Sequence, residues 1–244
     1  MTARFTTNQL RTQVSPKADE VVWLDEPARA GTAAAVRAVA SDEVGSVATV
    51  APTKVAELFV PDHYEKNYAY PLIVWLGTEL SPSGGIRSLM RRISDRNIVG
   101  ASVHPAADER IEDRLVSAIA SVRKQYHIHS ERIFLAGVGE YAAQALRLGL
   151  ARPEWFGGVI AISPQLTKQK RMLSQFPALQ GKRVFLATTG DDPEELGNLL
   201  GTQRLLWSAG MSVRACQSAS GEELDRGILR EIDRWVIESI VESG

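Results

Sequence analysis

The chain has 244 residues, 44% of them hydrophobic, which is enough for one large domain with a substantial core. Its 28 basic and 29 acidic residues give a formal net charge of −1 and form no long blocks, which argues against nucleic acid or an anionic membrane as a partner. No apolar run approaches membrane-spanning length, and the first 17 residues lack the apolar core of a secretion signal. The single cysteine, Cys216, excludes an internal disulfide and fits a reducing compartment, so we expect a cytoplasmic protein.

Residues 1–53 are predicted to form an N-terminal extension that is partly disordered, because residues 1–18 have the polar composition of a solvated terminus. The extension also contains a small apolar island at residues 21–24 and an Ala-rich segment at 28–40. The sequence leaves open whether it serves as a linker, a docking arm or a lid over a pocket. Residues 54–244 are predicted to form a single domain.

Apolar strands alternate with amphipathic helices from Lys54 onward. Strands without polar interruption, such as residues 70–77, are typical of strands buried on both faces of a sheet. The alternation predicts an α/β protein with a mainly parallel sheet between two layers of helices, a three-layer α/β/α sandwich. Ligands of such sheets bind at the carboxyl ends of the strands. The predicted strands cover residues 55–60, 70–77, 97–103, 133–136, 158–163, 183–188 and 211–216.

The stretch from Arg132 to Arg147 bears most directly on function. A short apolar strand, a tight turn and a helix rich in Ala and Leu follow one another, which is the arrangement of a nucleophile elbow with the signature G-x-S-x-G. Gly137 occupies the first glycine position. Gly139 stands where the serine is expected, and Tyr141 stands where the second glycine is expected.

With this elbow, the chain resembles the esterase branch of the α/β-hydrolases, which includes carboxylesterases, phospholipases, thioesterases and polyester depolymerases. The most specific match is the run Pro-Glu-Trp-Phe-Gly-Gly-Val that begins at Pro153. The resemblance implies an oxyanion-loop region at Gly77, Thr78 and Glu140, and a pocket at Tyr141. Leu76 replaces the histidine that this family carries before the oxyanion loop.

The resemblance also implies that the catalytic triad is degenerate. It places the family's acid at Asp192 and its histidine at Glu222, whereas Gly139 has no nucleophilic atom. A serine hydroxyl needs an adjacent base, and a triad in the order Ser, Asp, His needs that base late in the chain. The four histidines all precede the elbow: His63, His104, His127 and His129. We therefore expect a pseudoenzyme that binds an unidentified small molecule or a protein, without a cofactor or a bound metal.

Several of these residues also have purely structural interpretations. Asp192 before Pro193 has the chemistry of a helix N-cap. Ser220 and Glu223 match a capping box, which makes Glu222 a first-turn acid. Capping is favoured over function for both Asp192 and Glu222. Two histidines, His127 and His129, are predicted to lie in a surface loop, and the basic run 168–171 is predicted to be a solvated face.

An active hydrolase remains the alternative to a binding protein. Four carboxylates are predicted to meet at the carboxyl edge of the sheet, where they could hold Ca²⁺ or Mg²⁺ or act as an acid–base pair. They are Glu140, Asp191, Asp192 and Glu222. A residual esterase that uses Ser163 is a third hypothesis. The sequence does not determine the ligand, and it leaves a homo-oligomer open.

Overall fold

The computed structural model describes residues 21–23, 57–77, 85–106, 109–165, 176–222 and 224–241. The strands in these ranges are β1 (Val21–Trp23), β2 (Glu57–Phe59), β3 (Tyr70–Leu76), β4 (Val99–Val103), β5 (Ile128–Val138), β6 (Gly158–Ile162), β7 (Arg183–Thr189) and β8 (Ser212–Ser218). The helices are α1 (Gly85–Ile93), α2 (Ile111–Gln125), α3 (Glu140–Ala151), α4 (Phe176–Leu179), α5 (Pro193–Ser208) and α6 (Arg226–Val241).

All the described strands belong to one sheet with the order β1-β8-β7-β6-β5-β3-β4-β2. The central strands from β8 to β4 pair in parallel, whereas β1 and β2 pair antiparallel at the two edges. Helices connect the parallel strands, as a parallel sheet requires. The predicted α/β class and mainly parallel sheet are confirmed.

Two hydrophobic cores cover the two faces of the sheet. Side chains of β3 alternate between them, with Val74 in the core under α2, α3 and α5 and Trp75 in the core under α1 and α6. Every residue of β3 is buried, as its continuous apolar run predicts. Helices thus cover both faces, and the predicted three-layer sandwich is confirmed.

Helix α1 shows how the second core holds a short element in place. A helix of nine residues is marginal by itself in water. Each fully buried apolar side chain contributes about 1.5–3 kcal/mol relative to an exposed one, so docking on the sheet stabilises the helix. Its buried residues, which recur at helical spacing, are Ile86, Leu89, Met90 and Ile93.

Strand β5 is longer than predicted. It begins at Ile128, and the register of its pairing with β3 shifts between Tyr70 and Leu72. His129 therefore lies within a strand and is half-buried, so its predicted place in a surface loop is wrong, whereas His127 is exposed as expected. Sequence periodicity missed this first part of β5 because four polar residues, at positions 129–132, follow Ile128 without apolar alternation.

Part of the predicted N-terminal extension pairs with the sheet. Strand β1 lies antiparallel to β8, with Trp23 opposite Cys216. The division at residue 53 stays a prediction, and the Ala-rich segment 28–40 and the basic run 168–171 lie outside the described residues.

None of the described helices is long and apolar enough to cross a membrane. Cys216 is fully buried, and burial raises its pKa, so its thiol stays protonated.

Strand β5 and helix α3 approach each other most closely at Gly137. A Cβ atom at this position would lie 2.3 Å from the carbonyl oxygen of Tyr141 and 2.4 Å from its carbonyl carbon. Both are backbone atoms that cannot rotate away. The first glycine of the elbow signature is therefore required by packing alone.

We expect Gly137→Ala to destabilise the protein by about 1–3 kcal/mol or more, because the added methyl overpacks the strand–helix contact. Gly197→Ala and Gly201→Ala are matched controls on α5, where a Cβ meets nothing within 4 Å. These controls should stabilise the protein by about 0.5–1 kcal/mol, since alanine favours a helix. Urea unfolding measures all three free energies. Equal effects of the three substitutions would contradict the packing argument.

Candidate functional site

The candidate site lies where the carboxyl ends of β5, β6, β7 and β8 meet. Backbone hydrogen bonds continue between neighbouring strands just past their ends. The Gly139 amide donates to the Ile162 carbonyl at 2.9 Å, and the Ser163 amide donates to the Ala187 carbonyl at 2.7 Å. The Gly190 amide likewise donates to Ser218 at 2.8 Å. The residues that follow these strands therefore lie side by side at one edge.

Gly139 occupies the apex of the turn between β5 and α3. Its backbone has φ 57° and ψ −121°, with positive φ that only glycine adopts at low cost. Its carbonyl accepts from the Ala143 amide at 3.3 Å and so begins α3. This is the sharp strand-to-helix turn of a nucleophile elbow. The backbone that would present a nucleophile is present, and the nucleophilic side chain is not.

Tyr141 fills space next to the elbow. Its ring lies against Gly77 at the end of β3, where an added Cβ would fall 2.5 Å from the Tyr141 Cδ2 atom. The Tyr141 backbone stays close to Gly137, so the elbow has not opened to admit the side chain. The ring instead covers the start of the predicted oxyanion loop. Thr78, the next residue of that loop, lies outside the described residues.

Asp192 is a helix cap, as predicted. It is exposed, and its Oδ1 atom accepts from the Glu194 amide at 2.9 Å, with Pro193 as the first residue of α5. An aspartate at this position satisfies an amide that has no partner within the helix. Asp192, at the position predicted for the family's acid, therefore stabilises the start of α5, and this role needs no histidine.

The predicted capping box at Ser220 is wrong. Helix α6 begins at Arg226, so exposed Glu222 precedes the helix and lies in a turn where its amide donates to the Ser220 hydroxyl at 3.2 Å. Asp225 caps α6 instead, with Oδ1 accepting from the Ile228 amide at 2.6 Å.

Asp225 is also the centre of a buried polar cluster that sequence reasoning missed. Only 4% of its surface is exposed, and its Oδ2 atom accepts from the Ser220 hydroxyl at 2.8 Å and from the Ser218 hydroxyl. The signal in the sequence is an aspartate directly before the helix, a strong N-cap residue. It was hidden because Ser220 also has a capping residue's chemistry and stands in a pattern that resembles a capping box.

The four carboxylates predicted to converge do not form a metal site. Each of them is exposed, and the described residues contain no group of three or more His, Cys, Asp or Glu side chains that could hold a metal ion. The prediction failed because Asp192 turns toward the first amide groups of α5 and Glu222 extends from a turn, so sharing an edge did not bring the carboxylates together.

None of the four histidines follows β8, where the resemblance predicts the base. His127 and His129 lie at the amino end of β5, and His63 follows the antiparallel strand β2. His104 follows β4 at the carboxyl edge, but β3 lies between β4 and β5.

A cavity of about 260 Å³ opens beside the elbow, between the ends of β6 and β7 and the start of α5. Its lining residues are Ser163, Pro164, Gln165, Thr188, Asp192, Glu194, Glu195, Asn198 and Leu199. The Gln165 amide donates to the Gly139 carbonyl at 3.4 Å, which links the cavity to the elbow. The Thr188 hydroxyl donates to Glu195 at 3.1 Å. Sequence reasoning identified only Ser163 and Asp192 from this lining.

Solved structures of esterases share this fold. Esterase Est22 superimposes with a TM-score of 0.58 over 74% of each chain, at 15% sequence identity. A thermostable esterase gives a TM-score of 0.54 at 18% identity, over 74% of this chain, which spans 57% of the length of that esterase. An esterase from the fungus Rhizomucor miehei gives 0.51 at 13% identity, over 71% and 75% of the two chains.

No protein-family model matches the sequence, and no curated protein matches it. The structural similarity, at these low identities, concerns the fold. The strand order, the elbow between β5 and α3 and the superpositions agree, and the protein has the α/β-hydrolase fold.

The cap on α6 predicts distinct effects of the two nearby acids. Asp225→Ala should destabilise the protein by at least about 2 kcal/mol, because it removes a cap and leaves buried hydroxyl groups without their acceptor. Glu222→Ala should stay within about 0.5 kcal/mol of the wild type, as exposed substitutions usually do. Asp192→Ala should cost about 1 kcal/mol, the usual value for an exposed cap. Thermal and urea unfolding measure these differences, and a larger effect for Glu222 than for Asp225 would contradict the assignment.

Proposed function

We propose that this protein is not a serine hydrolase but a binding protein on an esterase-like scaffold, and that it takes a small molecule or a protein segment at the carboxyl edge of the sheet. The observation that carries the proposal is Gly139: the sharp turn of a nucleophile elbow without a nucleophile. In a well-studied triad, loss of the nucleophile or the base alone removes roughly a million-fold of the rate acceleration.

The surroundings of Gly139 support the same conclusion. Glu222, at the predicted base position, is exposed, and Asp192, at the predicted acid position, caps α5. The ring of Tyr141 covers Gly77, next to where the oxyanion loop begins. The nucleophile and the base that a serine hydrolase needs are thus both missing from the positions that the resemblance predicts.

The cavity beside the elbow supports a binding role. Its volume of about 260 Å³ suits a small ligand, and its lining combines hydroxyl and amide side chains with three carboxylates. A few convergent polar groups in a concave site are typical of ligand recognition. The proposed ligand of this edge is a small polar molecule or the side chain of a protein partner.

We expect no labelling by a fluorophosphonate probe and no turnover of p-nitrophenyl acyl esters, because Gly139 offers no atom for acylation. Activity-based gel labelling and a colorimetric assay measure the two properties, with a known serine esterase as the positive control. Robust labelling or turnover that a single hydroxyl substitution abolishes would overturn the binding proposal.

A second candidate is hydrolysis that uses Ser163. This residue has φ 46°, the one positive value found for a non-glycine residue in the part of the chain that the structure describes, and such strain concentrates at functional sites. Its hydroxyl lies 3.4 Å from the Thr189 hydroxyl and faces the cavity, but no histidine accompanies it. If the fluorophosphonate probe labels the protein and Ser163→Ala removes the label, this second function replaces the first.

Rebuilding the missing groups tests the assigned positions. Gly139→Ser alone should not create an esterase, because the hydroxyl has no base and Tyr141 still covers Gly77. The triple variant Gly139→Ser, Tyr141→Gly and Glu222→His should gain measurable ester hydrolysis. The gain should be strongly non-additive, since the members of a triad act as a unit.

The triple variant and each single variant are compared by initial rates with p-nitrophenyl acetate. The matched control is the triple variant with Asp192→Ala as a fourth change, because it removes the acid and keeps the three new groups. Activity that appears in a single variant, or that is indifferent to Asp192, would contradict the assigned triad positions.

A further inference from the structure

A second cavity lies at the opposite edge of the sheet from the elbow. It has a volume of about 520 Å³ and lies at the amino ends of β5, β6 and β7, beside the last turn of α6. Three cationic side chains line it: Arg132, Lys182 and Arg183. The binding proposal above makes no use of this edge.

Arg132 and Lys182 are held by backbone carbonyls and not by carboxylates. The Lys182 Nζ atom donates to the Phe156 carbonyl at 3.3 Å, and an Arg132 Nη atom donates to the Ile240 carbonyl at 3.3 Å. The Nε–H group of Arg132 is buried without a hydrogen-bond acceptor. Among the described residues, no carboxylate lies within salt-bridge distance of either cation. Both cations therefore keep N–H groups that no carboxylate of the described residues accepts.

Arg132 and Lys182 are both half-buried, so their charges are partly withdrawn from water. A charge that is withdrawn from water is normally paired, because desolvation penalises the charged form. Burial lowers the pKa of Lys182, and Glu131 and Glu154 oppose that shift only in part. Arg183 adds a third positive charge that is fixed against the Trp235 ring, with its Cζ atom 4.9 Å from the ring centre.

We propose that this cavity, which we call the amino-edge cavity, binds a small molecule through an oxyanion, either a phosphate or a carboxylate group. Lys182 supplies a mobile point charge, and Arg132 supplies planar donors that suit two oxygen atoms at once. The carboxylates of Glu131 and Glu154 also line the cavity, so the lining carries a formal charge of +1 from three cations and two anions. They limit how much negative charge the ligand can carry.

The test is isothermal titration calorimetry with inorganic phosphate and, separately, with citrate, at low ionic strength and with sodium chloride as the reference. We expect one binding site for at least one of the two anions. Binding of phosphate identifies a phosphate site, and binding of citrate alone identifies a carboxylate site. No heat beyond that of sodium chloride would overturn the proposal.

Variants locate the binding. Lys182→Met and Arg132→Met should each weaken the affinity about tenfold or more, which is the usual effect of losing a charge-assisted hydrogen bond. Glu131→Gln should tighten it, because it removes a repelling charge. Lys66→Met is the matched control, since Lys66 is exposed and does not line this cavity, and it should leave the affinity unchanged. Equal affinities for all four variants would overturn the assignment to this cavity.

A second measurement is independent of the variants. In a titration of the wild-type protein followed by nuclear magnetic resonance, the backbone amides of Gly157 and Gly181, which line the amino-edge cavity, should shift on addition of the anion. The amides of Gly139 and Gly190 at the carboxyl edge should not. Shifts confined to the carboxyl edge would overturn the proposal and would not affect the assignment of the elbow.

Discussion

The close approach of β5 to α3 at Gly137 is the constraint on which the candidate site depends. A side chain there would meet the backbone of Tyr141 at 2.3 Å, so the turn can be sharp only if residue 137 is glycine. This sharp turn gives Gly139 its positive φ and directs α3 across the sheet. The position of the elbow and of the space beside it follows from this one contact.

That constraint explains how an elbow exists without its chemistry. The turn is held by backbone packing and by the pairing of the Gly139 amide with Ile162, neither of which uses a catalytic side chain. With glycine at position 139, the positive φ costs little, whereas a serine at that position would be strained. The scaffold therefore loses nothing in stability when the nucleophile is absent. Stability and catalysis are separable at this turn because different atoms provide them.

The fold and the elbow were predictable because both are encoded in local patterns. Strands such as β3 are continuously apolar, since they are buried on both faces, and α1 and α2 carry their buried residues at helical spacing. The cap at Asp192 was also predictable, because aspartate, proline and the first amides of α5 are neighbours in sequence. These features depend on residues that lie within a few positions of one another.

The features that the sequence did not predict depend on tertiary contacts. Asp225 and Ser220 both have the chemistry of a cap, and burial against Ser218 decides that Asp225 begins α6. The polar start of β5 has no apolar alternation, and it is a strand because its backbone pairs with β3 near Tyr70. The ring of Tyr141 rests on Gly77, which is distant in sequence. In each case a long-range contact selects among local alternatives that the sequence leaves nearly equal.

The two edges of the sheet differ in charge, and this difference separates two possible uses of one fold. At the carboxyl edge, the cavity beside the elbow is lined by Asp192, Glu194 and Glu195 and by no cationic side chain. At the amino edge, the larger cavity is lined by three cations and two carboxylates. With a net formal charge of −1 for the whole chain, this contrast arises from local placement and not from composition. The charges that line the two cavities therefore disfavour an anion beside the elbow and favour one at the amino edge, at the opposite end of the strands. The two proposed binding sites therefore lie at separate places, and neither proposal uses the catalytic groups that the elbow lacks.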